Sequence, residues 1–236
     1  MMPDWLPELL AAAFATIVAI TLHEAAHGYA ARACGDDTAQ RLGRISLNPL
    51  RHVDPVGTVL LPLVLVVTQL ATIGRVEAMF GWAKPVPVNI WQLRHPRRDM
   101  VIVAAAGPLM NFALAMLAGL FAHVAVAWQD VLSPEAAQYA FRAVGLMILA
   151  NLVLGLFNLL PLPPLDGGRI MVGILPQALA MPLARIEPYG LLIVILGLFL
   201  LPQIAPAYDP MRWFLAEVVA PAFNLVLMAS GHGGKP

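Results

Sequence analysis

The residues with the clearest capacity for chemistry lie in the sequence His23-Glu24-Ala25-Ala26-His27. Residues four positions apart share one face of a helix, so the two histidines can offer ring nitrogens to the same metal ion. Glu24 follows the first histidine and can reach a metal-bound water and take its proton. The pattern therefore predicts a metal site that activates water.

The surroundings of this motif are apolar, since residues 9–22 carry no charge. Three ionisable groups within five residues of an apolar helix are costly to bury, and such groups in a membrane segment mark functional sites. The alternative is two packed histidines beside a glutamate that reaches towards the membrane surface. We expect the functional arrangement.

The composition indicates an integral membrane protein. Of the 236 residues, 60% are hydrophobic and 12% are charged, which is about half the charged fraction of a soluble domain. The formal net charge is zero, so that no basic surface suggests a nucleic-acid partner. The single cysteine, Cys34, excludes an internal disulfide and a multi-cysteine metal cage.

Several stretches of the chain are long and apolar enough for membrane helices, which need about 20 residues. They cover residues 9–31, 56–73, 100–129, 143–165, 188–208 and 218–234. We predict an all-α polytopic membrane protein of five to six hydrophobic helices, whose first, third and fourth stretches form a three-helix catalytic core. The whole chain, 1–236, is expected to be one domain, with the catalytic core at about 8–170 and C-terminal helices at about 171–230.

The distribution of charge orients these stretches. Basic residues follow the first, second and fourth stretches, whereas the loop 130–138 has Asp130 and Glu135 and no Lys or Arg. The positive-inside rule places the basic regions in the cytoplasm. Both flanks of 56–73 then lie on one side, so we expect this stretch to be re-entrant. A plain crossing with one atypical loop is the alternative.

A third metal ligand is expected, because catalytic zinc normally has three protein ligands and one open position. Asp166 lies in "NLLPLPPLDGG" (158–168), after prolines that end a helix and before glycines that permit a tight turn. An ordinary loop aspartate is the alternative. If the first and fourth stretches run parallel, Asp166 meets His27 at the cytoplasmic side. That topology requires 56–73 to return without crossing, in agreement with the charge argument.

Weaker interpretations attach to three other features. Asn158 could donate to a developing oxyanion, or it could satisfy carbonyl groups at the end of its helix. Asn111 could line the same cavity, or it could only hydrogen-bond across the small-residue face at 104–107. The segment "KPVPVN" (84–89) favours an extended edge element that could bind an unwound substrate by β-augmentation, and an extended loop is the alternative.

The remaining titratable candidates are not expected to join the site. A soft ligand from Cys34 would crowd Asp166. His52 and His95 lie in basic loops and are expected to be solvated. His123 lies near the outer end of the third stretch and is expected at the membrane interface.

Three motifs together resemble the site-2 protease family of intramembrane zinc metalloproteases. They are the His23–His27 pattern, "AAAGPLMNF" (104–112) and "NLLPLPPLDGG" (158–168), and the likeness extends over about residues 8–170. The stretches "GRISLNPLRHVDPVGT" and "GWAKPVPVN" are similar to the short bacterial branch of that family, without PDZ or other regulatory domains.

The resemblance implies one Zn²⁺ per chain, with His23, His27 and Asp166 as ligands. It also implies that Glu24 activates the water and that Asn158 helps to hold the substrate or to stabilise the oxyanion. The enzyme would be a metalloendopeptidase that hydrolyses peptide bonds within or near transmembrane segments.

The expected location is the plasma or inner membrane of a prokaryotic cell, as a multi-pass protein in the lipid bilayer with its active site towards the cytoplasm. Expected substrates are single-pass membrane proteins or signal-peptide-like segments. One alternative is a membrane metal-ion transporter, but beyond the site only His123 could serve as a further ligand on the outer side. Another is an inactive protease-like membrane adaptor, against which the intact Glu24 argues.

Overall fold

The apolar stretches form helices in the computed structural model, which describes residues 6–74, 81–205 and 207–233. The helices are α1 (Leu6–Ala33), α2 (Thr38–Arg41), α3 (Leu61–Ile73), α4 (Pro96–Trp128), α5 (Pro134–Asn158), α6 (Asp166–Ile174), α7 (Gln177–Ala184), α8 (Glu187–Ile195), α9 (Leu201–Ile204), α10 (Pro210–Trp213) and α11 (Ala220–Ala229). Wider π-type turns lead into α3, α9 and α11 at Pro55–Leu60, Leu196–Leu200 and Phe214–Val219. The described part of the chain contains no strand, which confirms the all-α prediction.

Six helical segments of the described residues are long and apolar enough to cross a membrane. They are Leu6–Ala33, Pro55–Thr72, Pro96–Trp128, Pro134–Asn158, Glu187–Ile204 and Pro210–Ala229. The predicted polytopic class is therefore confirmed. The fourth helix begins nine residues earlier than its apolar stretch, because Ser133 caps it through Ala136 N at 3.3 Å and Pro134 occupies its first position.

Helices α1, α4 and α5 form the predicted three-helix core. Asn111 in α4 contacts Ala19 in α1 and Asn151 in α5, while Val103, earlier in α4, contacts His27, later in α1. Residue numbers of the contacts increase from Ala19 to His27 along α1 and decrease from Asn111 to Val103 along α4, so these two helices are antiparallel.

The direction of α5 follows from two further contacts. A Cβ atom on Gly155 would lie 3.4 Å from Pro108 O, so α5 also runs antiparallel to α4. Near the starts of α1 and α5, Arg142 Nη1 lies 3.7 Å from Glu8 Oε2. Helices α1 and α5 are therefore parallel, as the interpretation of Asp166 requires.

The segment from Pro55 to Trp82 leaves the bundle and returns to its starting point. Asp54 caps its first turn by accepting from Val56 N and Gly57 N, at 3.0 and 2.7 Å. After α3, Trp82 N donates to Gly57 O at 3.2 Å. A Cβ atom on Gly57 would lie 2.3 Å from the Trp82 ring, so the closure depends on glycine. Entry and exit at one place are what the re-entrant prediction for 56–73 requires.

The edge strand predicted for 84–89 does not form among the described residues. Residues 81–89 belong to no helix or strand, although Lys84 N donates to His52 O at 2.8 Å. Pro85 and Pro87 have no N–H group, so the segment cannot build a regular ladder of hydrogen bonds. It lies instead as a single extended loop beside α1.

The last helical segment, Pro210–Ala229, packs against α4 and α5. Phe214, Val219 and Val226 are buried in one cluster with residues of these two helices, namely Ala115, Ala118, Ile148 and Leu152. Burial of these apolar side chains attaches the last helices to the catalytic core.

Candidate metal centre

His23, His27 and Asp166 meet inside the bundle, as the sequence predicts. The two Nε2 atoms lie 3.0 Å apart, and each lies 3.2 Å from Oδ2 of Asp166. One potential ligand atom from each residue lies within 4.8 Å of the others. All three residues are buried, with relative exposures of 4%, 9% and 6%.

The hydrogen bonds behind the histidines fix which ring nitrogen faces the centre. His23 Nδ1 lies 2.6 Å from Asn111 Oδ1, and His27 Nδ1 lies 2.7 Å from Val103 O. A carbonyl oxygen can only accept, so both Nδ1 atoms carry the hydrogen. In the neutral rings, both Nε2 atoms then present lone pairs towards Asp166, which is the arrangement of metal-binding histidines.

The orientation of the Asn111 amide follows from its other contacts. Its Nδ2 group donates to Asn151 Oδ1 at 2.9 Å and to Ala19 O at 3.2 Å. Oδ1 of Asn111 must therefore face His23. Asn111 and Asn151 are both fully buried, and together they join α1, α4 and α5 behind the first ligand.

The donor set fits a divalent cation. Two ring nitrogens without hydrogens face each other at 3.0 Å, and the nearby Oδ2 of Asp166 is buried without a hydrogen-bond donor. Such a group of electron-rich atoms is unfavourable unless a cation lies between them. Two imidazole nitrogens and one carboxylate oxygen are a ligand set of catalytic zinc, which keeps a further position open.

Glycine at position 107 leaves the space that the ligand rings occupy. A Cβ atom there would lie 2.4 Å from His27 Nε2 and 2.7 Å from His23 Nε2. The small-residue face at 104–107 thus packs closely, as expected, and its partner is the face of α1 that carries His23 and His27.

The two glycines after Asp166 do not form the tight turn that the sequence predicts. Gly167 and Gly168 lie in the first turn of α6, and neither has a positive φ. Cβ atoms there would lie 2.2 Å from Leu159 O and 2.1 Å from Pro163 N. The glycines let α6 pack against the proline-rich turn, and this contact fixes Asp166, the first residue of the helix.

Glu24 lies beside the centre on α1 and is partly buried. Its Oε2 atom accepts a hydrogen bond from Val86 N at 2.8 Å. The sequence interpretation did not include this contact, because the two residues are far apart in the chain. Val86 packs over Gly28, where a Cβ atom would lie 3.4 Å from Val86 Cγ1.

The two asparagines singled out in the sequence lie in different settings. Asn158 is the last residue of α5, and its amide donates to Leu154 O at 3.0 Å, which is the helix-end contact named as the alternative. An oxyanion role for Asn158 stays a prediction. Asn111 hydrogen-bonds across the helices and also orients His23, while Asn151, not singled out, completes that network.

Other titratable residues lie apart from the centre. The prediction of a solvated His52 is wrong: it is 3% exposed, because its ring is packed against the loop and donates to Ser46 O at 2.9 Å. His95 is solvated as expected.

Partial burial and then the charge of Asp99 raise the pKa of the Cys34 thiol. His123 donates to Ser230 O at 2.6 Å, and the described residues hold one group of three potential metal ligands.

The fold and the donor set define the class of the protein, a membrane-embedded metallohydrolase. Peptidase family M50 matches residues 124–201, which include Asp166. The chain is 40% identical to a candidate zinc metalloprotease, YwhC of Bacillus subtilis, over 186 residues that cover 79% of this chain and 78% of the relative. It is 32% identical to another, Rip2 of Mycobacterium tuberculosis, over 214 residues that cover 91% of this chain and 76% of the relative. No solved structure matches the chain significantly.

The chain belongs to peptidase family M50, the site-2 protease family that its motifs predicted. It is an intramembrane zinc metalloprotease, and a transporter is not favoured. The predicted Zn²⁺ cofactor agrees with the donor set of His23, His27 and Asp166.

Proposed function

We propose that His23, His27 and Asp166 hold the zinc ion of this protease and that Glu24 is its general base. The single observation that carries the proposal is the convergence of the three ligand atoms within 4.8 Å. Two of the residues come from α1 and the third from the start of α6, far along the chain, so chance packing of neighbouring residues does not account for the group.

Zinc, when bound, polarises the scissile carbonyl group and lowers the pKa of the attacking water. Glu24 takes a proton from that water and later gives it to the leaving amine, so that the amine departs as a neutral group. The Nδ1 contacts of His23 and His27 keep their Nε2 lone pairs directed at the centre. We assign the second amide hydrogen of Asn158 to the developing oxyanion, where one donor contributes about 10²–10³-fold to kcat.

We assign the site to the cytoplasmic side of the membrane. It lies near the end of α1 and the start of α4, and basic residues concentrate there. They are Arg32 in the last turn of α1, Arg97 and Arg98 in the first turn of α4, and Arg169 in α6. At the opposite end, Asp130 lies in the loop between α4 and α5, and Glu135 lies in the first turn of α5. The positive-inside rule supports this orientation.

The proposed substrates are single-span membrane proteins and signal-peptide-like segments. Peptide bonds in a membrane helix are hydrogen-bonded and shielded, so a substrate must unwind before attack. The extended residues 81–89 lie beside Glu24 and are positioned to contact an unwound segment. Cleavage would then be favoured where the substrate helix is weak.

A reconstituted cleavage assay tests this function. The probe is a reporter with tags at both ends and one 20-residue apolar span, about the length that crosses a bilayer, interrupted by an Asn-Gly pair that weakens its helix. We expect the wild-type protein to cut the probe within the span. Glu24→Gln should retain zinc and lose cleavage, whereas His27→Ala should lose both.

Glu135→Gln is the matched control, since it makes the same chemical change at an exposed position in the first turn of α5. It should cleave the probe like the wild-type protein. Cleavage that persists in Glu24→Gln would overturn the assignment of the base, and full zinc in His27→Ala would overturn the assignment of the ligand.

A further inference from the structure

The carboxylate of Glu24 is held by a backbone group of the loop 84–89. Val86 N lies 2.8 Å from Glu24 Oε2, and Glu24 is partly buried at this point. Among the described residues, none donates a hydrogen bond to the other oxygen, Oε1. One oxygen of the proposed base is therefore fixed by the protein, while the other is left for the reacting groups.

The loop that supplies this N–H group is anchored on both sides of Val86. Lys84 N donates to His52 O at 2.8 Å, and Arg44 Nη2 donates to Lys84 O at 2.8 Å. On the other side, Asn89 N donates to Asp36 Oδ2 at 2.6 Å, and Asp36 is fully buried. These contacts hold the loop at a set distance from α1.

The sequence of the loop makes Val86 N a unique donor. Pro85 and Pro87 have no N–H group, so the backbone from 85 to 87 contains only the hydrogen that Glu24 uses. A residue before proline is restricted to extended conformations, which applies to both Lys84 and Val86. The alternation of proline and valine thus presents one donor from a stiff backbone.

The Val86 side chain keeps this donor facing Glu24. It is 6% exposed and lies over Gly28, one turn after Glu24 on α1, where a Cβ atom would be 3.4 Å from its Cγ1. Ile45 packs at the same glycine, with its Cγ1 2.9 Å from that Cβ position. A contact this close to α1 requires glycine at position 28.

We propose that the Val86 N–H group is a positioning group for Glu24, which turns the free oxygen of the base towards the attacking water. The proposal rests on the function assigned to Glu24 above. A misplacement of a catalytic group by about 1 Å can cost about 10²-fold in rate. The effect should fall on kcat, because the loop would orient the base without binding the metal.

The test is Val86→Pro, which removes the N–H group and retains an extended backbone. Val86→Ala is the matched control, since it changes the same residue and keeps the N–H group. With the probe described above, we expect kcat of Val86→Pro to fall by about 10- to 100-fold, with zinc content and KM close to wild type.

Val86→Ala separates the N–H group from the side chain, because it removes packing and keeps the donor. Its kcat should exceed that of Val86→Pro by about 10-fold. Equal kcat values for the two variants would assign the effect to packing and overturn the proposal. Unchanged kcat in Val86→Pro would do so too, whether or not KM rises, since Glu24 would then not need the Val86 N–H group.

A variant that relaxes the loop covers the case in which Val86→Pro does not fold. Pro85→Ala combined with Pro87→Ala keeps the Val86 donor and frees its backbone, so we expect kcat to fall while zinc is retained. Unchanged kcat there would count against positioning. If instead the wild-type protein fails to cleave, or Glu24→Gln cleaves, the proposed function fails irrespective of Val86.

Discussion

Nδ1 of His23 lies 2.6 Å from Oδ1 of Asn111, in the buried interior of the three-helix core. This contact fixes the ring so that Nε2 faces Asp166. It also connects the metal centre to the packing of α1 against α4 and α5, since Asn111 donates in turn to Ala19 O and to Asn151. The geometry of the centre is therefore set by helix packing as well as by the ligands.

Replacement of Asn111 by leucine should weaken zinc binding. Leucine has the same number and branching of side-chain heavy atoms but cannot accept from His23, and partners of this kind contribute about 10–100-fold to metal affinity. Competition with a chromophoric chelator measures the change. Asn111→Asp keeps an acceptor for Nδ1 and should bind zinc more tightly than Asn111→Leu. Equal affinities in Asn111→Leu and the wild-type protein would contradict the role of this contact.

A methyl group at position 107 should disrupt the centre. The Cβ atom of Gly107→Ala would lie 2.4 Å from His27 Nε2, so α1 and α4 must move apart or the rings must turn. We expect zinc content well below one ion per chain, and a loss of stability of about 1–3 kcal/mol. Gly145→Ala, on α5, is the matched control, since a Cβ atom at this position would have no neighbouring atom within 4 Å. Full zinc occupancy in Gly107→Ala would show that the rings do not lie against α4.

Asp166→Asn tests the third ligand with almost no change in shape. The amide carries no charge and is a much poorer ligand than a carboxylate, so zinc content should fall clearly. Glu187→Gln makes the corresponding change in an exposed carboxylate, 3.3 Å from Arg169, and should keep its zinc. Metal analysis of the purified proteins decides the matter: undiminished zinc in Asp166→Asn would place the third ligand elsewhere.

Removal of zinc should lower the thermal stability of the protein. The ligands converge only in the folded chain, and a ligand present at 100 times its Kd stabilises by about 2.7 kcal/mol. A chelator should therefore lower the Tm of the wild-type protein, and zinc should restore it. His27→Ala serves as the reference, with a Tm that responds to neither addition. If neither the chelator nor zinc changed the Tm of the wild-type protein, this would argue against a metal bound by both α1 and α6.

Asn158→Ala should reduce turnover without loss of metal. If its amide stabilises the oxyanion, kcat should fall by about 10²–10³-fold, with zinc at one ion per chain. Asn224→Ala, in an exposed position of α11, is the comparison and should cleave the probe normally. A kcat near wild type in Asn158→Ala would leave this residue with only its helix-end contact to Leu154 O.

The sequence was informative where chemistry depends on local spacing. His23 and His27 share a face because they are four residues apart on one helix. Asp166 could be added through topology, since charge and helix direction both required α1 and α5 to end together. The re-entrant course of 56–73 was predicted from the basic residues on both of its flanks.

Contacts between distant side chains were beyond the sequence argument. Periodicity does not fix how far each helix is rotated about its axis, so the partners of Asn111 and the packing of His rings over Gly107 could not be foreseen. The same holds for the hydrogen bond between Val86 N and Glu24, since an expected strand at 84–89 does not predict which side chains its N–H groups meet. His52 was misjudged because charged neighbours in sequence do not reveal the fold of a loop.

The position of His27 along α1 has a consequence for the products. His27 lies six residues before Ala33, the end of the helix, which is about 9 Å at 1.5 Å per residue. A 20-residue span cut at that depth would leave about 14 apolar residues, roughly 21 Å of helix in a hydrocarbon layer about 30 Å thick. The longer fragment would be too short to bridge the bilayer and too apolar to dissolve. Hydrophobic mismatch would then make it tilt, thin the lipid around it or depend on extraction, so each cleavage would convert a stable anchor into a strained one.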